Sequence, residues 1–332
     1  MALLYHAAVR APLANILSRR DKNGTRSRQK YGISGMSAVL TLAAPAGWLR
    51  GLVWERACKA VALHASPLGK PDWLVAETAC DWPVAAADEA ALRQALGSLR
   101  IDLAVHRAGE SRRKRVLIAD MDSTIVQGET LDELAAEAGI KDRIAAITER
   151  AMRGELDFAE ALTERVAALA GLEAAALDRT LARTRPMPGA AALVATMRAN
   201  GAVCWLVSGG FTFFTGAIAE RLGFARHQGN TLKIADGKLT GKVVPPILDR
   251  DAKLQALHRA ATEAGAGPAA VLAVGDGATD LAMIRAAGMG VAFQAKPAVR
   301  KAARFQVNHA GLHALLYFQG YRAAGIVRPA RQ

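Results

Sequence analysis

Val116-Leu117-Ile118-Ala119-Asp120-Met121-Asp122-Ser123-Thr124 sets an apolar run of four residues directly against two carboxylates spaced one residue apart. A short apolar run without alternation reads as a strand buried on both faces, the condition of a parallel sheet. Carboxylates are costly at the exit of such a strand. Burial without a partner raises their pKa values, whereas a divalent cation would hold at least one of them ionised. The stretch therefore points to a metal-assisted carboxylate site, with one Asp free to attack an electrophile and the other to move a proton.

Downstream, apolar strands alternate with helical stretches, the pattern of a parallel α/β sheet. Val203-Cys204-Trp205-Leu206-Val207 and Val271-Leu272-Ala273-Val274 read as strands, with shorter ones at Val291-Ala292-Phe293 and Phe305-Gln306-Val307. Ser208-Gly209-Gly210 follows the first of these and Gly275-Asp276-Gly277 the second. Ligands gather at the carboxyl ends of the strands in an open parallel sheet. Both groups are thus expected to meet the Asp120/Asp122 pair in space. Between the first strand and Pro186 lies a helical insertion of roughly sixty residues, longer than a crossover needs, and it reads as a lid or cap. Asp236-Gly237 marks a β-hairpin.

Several alternatives fail on spacing. A calcium loop starting at Asp120 needs Gly at 125 and Glu at 131, where Ile125 and Leu131 stand. A nucleophile elbow around Ser208 needs Gly at 206, where Leu206 stands. Neither a phosphate loop of the Gly-Lys-Ser/Thr type nor a Gly-x-Gly-x-x-Gly fingerprint is present.

The net charge of +13 invites a nucleic-acid reading, but residues 1–34, 106–115 and 322–332 together carry all of it. Tails and a linker are basic, with no basic face evident in the core, so no nucleic-acid partner is expected. Cys58, Cys80 and Cys204 form no Cys-x-x-Cys pair, which suits reduced thiols in the cytoplasm. No apolar stretch approaches the roughly 18–20 residues of a membrane span, so no membrane association is expected. The basic N-terminal segment reads as a disordered extension or as a start placed too far upstream, with Met36 heading the folded part; an Arg-rich organellar presequence is the alternative. Residues 36–105 read as a small α/β unit with strands at 38–42, 72–75 and 101–105, helices at 55–64 and 88–99, and breaks at Pro45, Pro67 and Trp82-Pro83.

Residues 115–320 resemble the phosphoserine phosphatases of the haloacid dehalogenase superfamily. The motifs that carry the resemblance are Asp-Met-Asp-Ser-Thr at 120–124, Ser-Gly-Gly-Phe at 208–211, Lys253 and Gly-Asp-Gly-Ala-Thr-Asp at 275–280, with Asp-Gly-Lys-Leu-Thr-Gly at 236–241. Their order, with Glu129 and Arg165, points to the subfamily. The implied fold is a haloacid dehalogenase-like, Rossmannoid parallel-sheet α/β core with a helical cap insertion and a small N-terminal α/β domain. The chain then divides into a basic extension (1–35), a regulatory or dimerising domain (36–105), a basic linker (106–115), a phosphatase core (116–126 and 186–320) interrupted by the cap (127–185), and a basic tail (321–332).

The resemblance also implies roles. Asp120 is the nucleophile, forming an aspartyl-phosphate, and Asp122 the general acid and base. Mg2+ is held by the Asp120 and Asp276 carboxylates and the Asp122 backbone carbonyl. Ser208, Gly209, Gly210 and Lys253 bind phosphate, Glu129 the substrate ammonium and Arg165 its carboxylate. Two of these positions have support from spacing alone. Lys253 falls in the first turn of a helix, where a cation opposes the dipole and a bound anion would explain it. Arg165 falls in the apolar stripe of Phe158, Leu162 and Leu169 on a helix begun by an Asp157/Glu160 capping box, and a substrate carboxylate is a fitting partner there. Thr279 stands where the family usually has Asn; it keeps a hydroxyl but lacks the amide donor. Asp280 is expected to orient Lys253 or metal-bound water.

The implied activity is hydrolysis of O-phospho-L-serine, the last step of serine synthesis, by a cytoplasmic enzyme whose partner is a small molecule; a homodimer is an open expectation. A phosphatase or phosphotransferase acting on another small phosphomonoester, such as phosphohomoserine, is the alternative. A basic binding protein acting through residues 1–34 is a third reading.

Overall fold

The computed structural model describes residues 38–328. The expectations for residues 1–35, for Met36 and for the end of the tail, 329–332, lie outside the described residues. The described residues divide into two compact units, with the boundary between Glu110 and Ser111.

The first unit contains β1 (Ala38–Ala43), α1 (Gly51–His64), β2 (Ala65–Pro67), β3 (Asp72–Val75), β4 (Ala79–Ala87), α2 (Glu89–Gly97) and β5 (Asp102–Arg107). The strands form an antiparallel sheet in the order β2-β4-β1-β5, with β3 also on β4. Alternate residues Leu40, Leu42, Trp82, Val84, Leu103 and Val105 fall on one face and pack with Ala57, Val61, Leu92 and Leu96 of the two helices. The expected break at Trp82-Pro83 is absent, because β4 runs through both residues. Both backbone groups of an antiparallel residue face the same neighbour. The Pro83 carbonyl accepts from Leu68 N–H at 2.8 Å on the β2 side, where the register is already irregular. The missing N–H therefore leaves the ladder to β1 intact.

In the second unit β6 (Val116–Ala119) leads into an insertion of helices α3 (Thr130–Glu137), α4 (Lys141–Met152), α5 (Phe158–Ala167) and α6 (Ala175–Arg183). There follow α7 (Ala190–Ala199), β7 (Val203–Phe211), α8 (Thr212–Leu222), β8 (Arg226–Ala235), β9 (Lys238–Val244), α9 (Arg250–Glu263), β10 (Val271–Gly275), α10 (Leu281–Ala286), β11 (Met289–Phe293), α11 (Pro297–Ala302), β12 (Phe305–Val307) and α12 (Ala314–Phe318). The seven-stranded sheet has the order β12-β11-β10-β6-β7-β8-β9, parallel except for β9, which closes the hairpin on β8. β6 is central and its residues are fully buried. Val116 and Ile118 pack with Ala256, Leu257 and Ala260 of α9, so Leu117 and Ala119 face the opposite layer.

Both ends of the insertion leave the sheet side by side. Val126 bridges Pro186, and Gln127 N–H donates to the Arg185 carbonyl at 2.9 Å. Its loop after α5 is also bonded to the hairpin: Gly171 N–H donates to Leu239 O, Leu239 N–H to Leu172 O and Ala174 N–H to Gly237 O, each at 2.8 Å.

The basic stretch differs from a solvated tether. β5 extends through His106 and Arg107, two residues into the expected linker. Farther on, Arg112 Nε and Nη2 donate to the carbonyls of Phe318 (2.9 Å) and Tyr317 (3.0 Å), and Arg115 Nη2 donates to Ala264 O (2.5 Å). These carbonyls lie at the C-terminal ends of α12 and α9, where the helix dipole favours a cation. Arg113 lies over the ring of Tyr321, 3.3 Å from its centroid, and Tyr321, first residue of the expected tail, is buried. Among the described residues no helix is long and apolar enough to cross a membrane. Cys58, Cys80 and Cys204 are free thiols, and burial pushes Cys58 and Cys204 up to about 12.

Candidate functional site

The carboxyl ends of β6, β7 and β10 are adjacent, which brings Asp120 and Asp122, Ser208 to Gly210, and Asp276 into one place. Asp120 N–H donates to Val274 O at 3.0 Å, a bond that carries the β6–β10 pairing to the edge of the site. Beyond it, Met121–Ile125 form a tight turn in which Asp122 is extended (φ −67°, ψ 138°) and Ser123 is left-handed (φ 55°, ψ 0°).

Lys253 enters from α9. Asp249 starts this helix by accepting from Asp251 and Ala252 N–H, and Lys253 lies in its first turn, as its spacing predicts. The Nζ is buried and donates to Asp120 Oδ1 and Asp280 Oδ1, both at 2.6 Å. Burial alone would lower the pKa of the ammonium, but the Asp120 and Asp280 carboxylates outweigh it and hold Lys253 above its ordinary value. The second oxygen of Asp280 accepts from Asp276 N–H (3.1 Å) and Gly277 N–H (2.9 Å), so Asp280 ties the lysine to the turn after β10. That turn demands glycine: a Cβ on Gly275 would lie 2.3 Å from Asp280 Cγ.

Asp120, Asp276 and Asp280 each offer an oxygen, all within 4.8 Å of one another. The donor set is hard and anionic, as a divalent cation of the magnesium or calcium kind requires. Burial and the Asp280 carboxylate push Asp120 well above the usual carboxylate range against the pull of Lys253, and the same two causes raise Asp276. A cation would relieve both. Asp280 has both oxygens engaged by Lys253 and two backbone N–H groups, which leaves Asp120 and Asp276 the freer carboxylates. The residues present fit a divalent metal.

Asp122 is held at both oxygens. Oδ1 accepts from Thr130 N–H (2.9 Å) at the start of α3, and Oδ2 from the Ser208 hydroxyl (3.2 Å). Burial raises its pKa against these bonds, the condition of a carboxyl that gives up a proton. Ser208 Oγ also accepts from Gly210 N–H at 2.8 Å. A Cβ on Gly210 would stand 2.8 Å from Asp122 Oδ2, and one on Gly209 3.0 Å from the Phe158 ring, so the insertion touches the core at this loop.

Two charged residues of the insertion face the same region. The capping box at Asp157 and Glu160 forms, and it aligns α5 so that Leu162 and Leu169 are buried with Arg165 half-buried between them. Arg165 Nε donates to Ala161 O (3.1 Å), and among the described residues no carboxylate forms an ion pair with its guanidinium. Burial lowers its pKa against the attraction of Asp132 and Glu129. Glu129 accepts from the Ser123 hydroxyl at 2.8 Å. Partial burial, reinforced by Asp122, pushes its carboxyl up to about 7, although one side remains open to water, which screens the effect. Thr279 lies in the turn before α10, half-buried and with no hydrogen bond from its hydroxyl among the described residues.

Asn230 and Thr130 are absent from the sequence reading. The Asn230 side chain, 1% exposed, donates to Gly209 O and accepts from Leu248 N–H, each at 2.8 Å. A trans peptide sets its N–H opposite its C=O, so holding the Gly209 carbonyl fixes the direction of Gly210 N–H, which donates to Ser208 Oγ. The only trace in the sequence is a polar residue inside a strand, which carries no motif.

The haloacid dehalogenase-like hydrolase model matches residues 117–285, and the chain belongs to that family. Within that class, the curated proteins that it is similar to include phosphoserine phosphatases. The one from Streptomyces coelicolor is 46% identical over 248 residues, covering 73% of this chain and 60% of that protein. The one from Streptococcus thermophilus is 44% identical over 206 residues, covering 62% of this chain and 96% of that protein. Among solved structures, a phospho-aspartyl intermediate analogue of a phosphoserine phosphatase is 36% identical with a TM-score of 0.58, covering 62% of this chain and 99% of that one. The chain spans 56–60% of the length of the longer curated relatives it matches.

Proposed function

We propose that the chain is a magnesium-dependent phosphoserine phosphatase that hydrolyses O-phospho-L-serine to L-serine and phosphate. The observation that carries this reading is the buried Asp120 carboxylate, bonded to Lys253 at 2.6 Å beside a second carboxyl, Asp122, of raised pKa. An Asp120 oxygen bonds to phosphorus as the seryl oxygen–phosphorus bond breaks, and Asp122 delivers its proton to the departing seryl oxygen. Asp122, now ionised, takes a proton from water as that water attacks phosphorus, and the Asp120–phosphorus link breaks. Ser208, Gly209, Gly210, Thr279 and Lys253 bind the phosphoryl oxygens. Asp120, Asp276 and the Asp122 backbone carbonyl would hold Mg2+, whose charge lets two anions approach one another. Arg165, which lacks a carboxylate partner among the described residues, takes the substrate carboxylate, and Glu129 the ammonium.

In this reading residues 116–126 and 186–320 are the catalytic core and 127–185 the cap. The reaction is the final step of serine synthesis, and free thiols suit a cytoplasmic enzyme. Neither Arg165 nor Glu129 fixes chain length, so phosphohomoserine is the second substrate to consider.

A panel of phosphoserine, phosphohomoserine, phosphothreonine and sugar phosphates tests the reading. Magnesium-dependent phosphate release fastest from phosphoserine is expected, and equal rates across the panel would defeat the assignment. Asp120→Asn should leave the fold intact and abolish the phosphate burst.

A further inference from the structure

Two residues beside the site are poor choices for their backbone positions, and they are bonded to one another. Ser123 has φ 55° and ψ 0°, the left-handed region where glycine alone is unstrained. Glu129 occupies the N-cap position of α3, where Ser, Thr, Asp or Asn would bond the first turn, yet its side chain caps nothing. The neighbouring N–H of Thr130 goes to Asp122. Backbone bonds from Ser123 N–H to Gly128 O and from Val126 N–H to Met121 O, both 2.9 Å, close the intervening loop without help from either side chain. What serine adds over glycine at 123 is the hydroxyl that donates to Glu129 Oε1 at 2.8 Å. Strain retained beside a reacting centre points to function rather than to folding.

We propose that Ser123 is a specificity-positioning residue, its hydroxyl holding the Glu129 carboxylate in place for the ammonium group of an amino-acid phosphate. The inference rests on the reading of Glu129 as the ammonium site. Glu129 is otherwise free to rotate on the open side of the site, and ordering such a side chain during binding opposes binding. The Ser123 bond fixes one carboxylate oxygen beforehand and leaves the other for the substrate.

The test uses the full chain and two substrates, phosphoserine and 3-phosphooxypropionate, which lacks the ammonium group. Ser123→Gly should raise KM for phosphoserine and lower the preference over the analogue by about tenfold, the loss of one charge-assisted hydrogen bond. The same substitution should raise Tm, because the left-handed strain is relieved. Ser123→Ala should show the same loss of preference without the gain in Tm. In a Glu129→Gln background, Ser123→Gly should cause no further loss of preference. The proposal is overturned if either Ser123 variant keeps the wild-type preference, or if the loss persists undiminished in the Glu129→Gln background. Failure of the underlying reading is distinct: the wild type then shows no preference for phosphoserine over the analogue, or Glu129→Gln leaves that preference intact.

Discussion

Lys253 brings one buried positive charge to a group of four carboxyls, Asp120, Asp122, Asp276 and Asp280, and the surplus is negative. Burial and the Asp280 carboxylate raise Asp120 and Asp276, so without a cation both take up a proton more readily in the fold than in the unfolded chain. A carboxyl raised in the folded state contributes stability below its unfolded pKa of about 4, and that contribution is lost as pH rises through the folded value. A cation bound only by the folded state acts in the opposite sense and competes with protons for the same oxygens. The Tm gap between magnesium and chelator should therefore be small near pH 4.5 and widen towards neutrality. Thermal unfolding across that range checks it; a gap independent of pH would contradict the carboxylate assignment.

At the scale of elements, the site depends on how closely turns approach one another. Gly275 ends β10 against the Asp280 side chain, and neither can retreat, because Asp280 is fixed by Lys253 and two backbone bonds. Gly275→Ala should cost about 1–3 kcal/mol, the usual range for overpacking. Calorimetry should record the lower Tm together with a loss of phosphatase turnover larger than that stability change explains. The strands that carry the site were legible because each is an apolar run ending at a polar group, as at Ala119-Asp120 and Val274-Gly275-Asp276. The α5 face was legible because a capping box set its register. Asn230 was not, since its two bonds reach 21 and 18 residues away and depend on the completed sheet. Continuation of β4 through Pro83 was hidden for a related reason: it depends on which neighbour the missing N–H faces.

For the whole molecule, the basic residues just before β6 are employed within the second unit. Arg112, Arg113, Lys114 and Arg115 meet carbonyls or a ring, whereas Arg107 closes β5 at the surface. Charge that read as a linker thus belongs to helix termini, which composition cannot distinguish from a solvated run. Trypsin should accordingly cut this stretch after Arg107 and spare the bonds after Arg112 and Lys114, as mass spectrometry of a timed digest would report. Equal cleavage at all of them would show the contacts to be transient.

The same contacts set a limit on truncation. A shortened chain beginning at Val116 would keep every strand of the large sheet and every proposed catalytic group. It would also leave the last carbonyls of α9 and α12 without their guanidinium donors and Tyr321 without the cation above it. A truncation that retains these contacts starts at Ser111, where the second compact unit begins, five residues before its first strand.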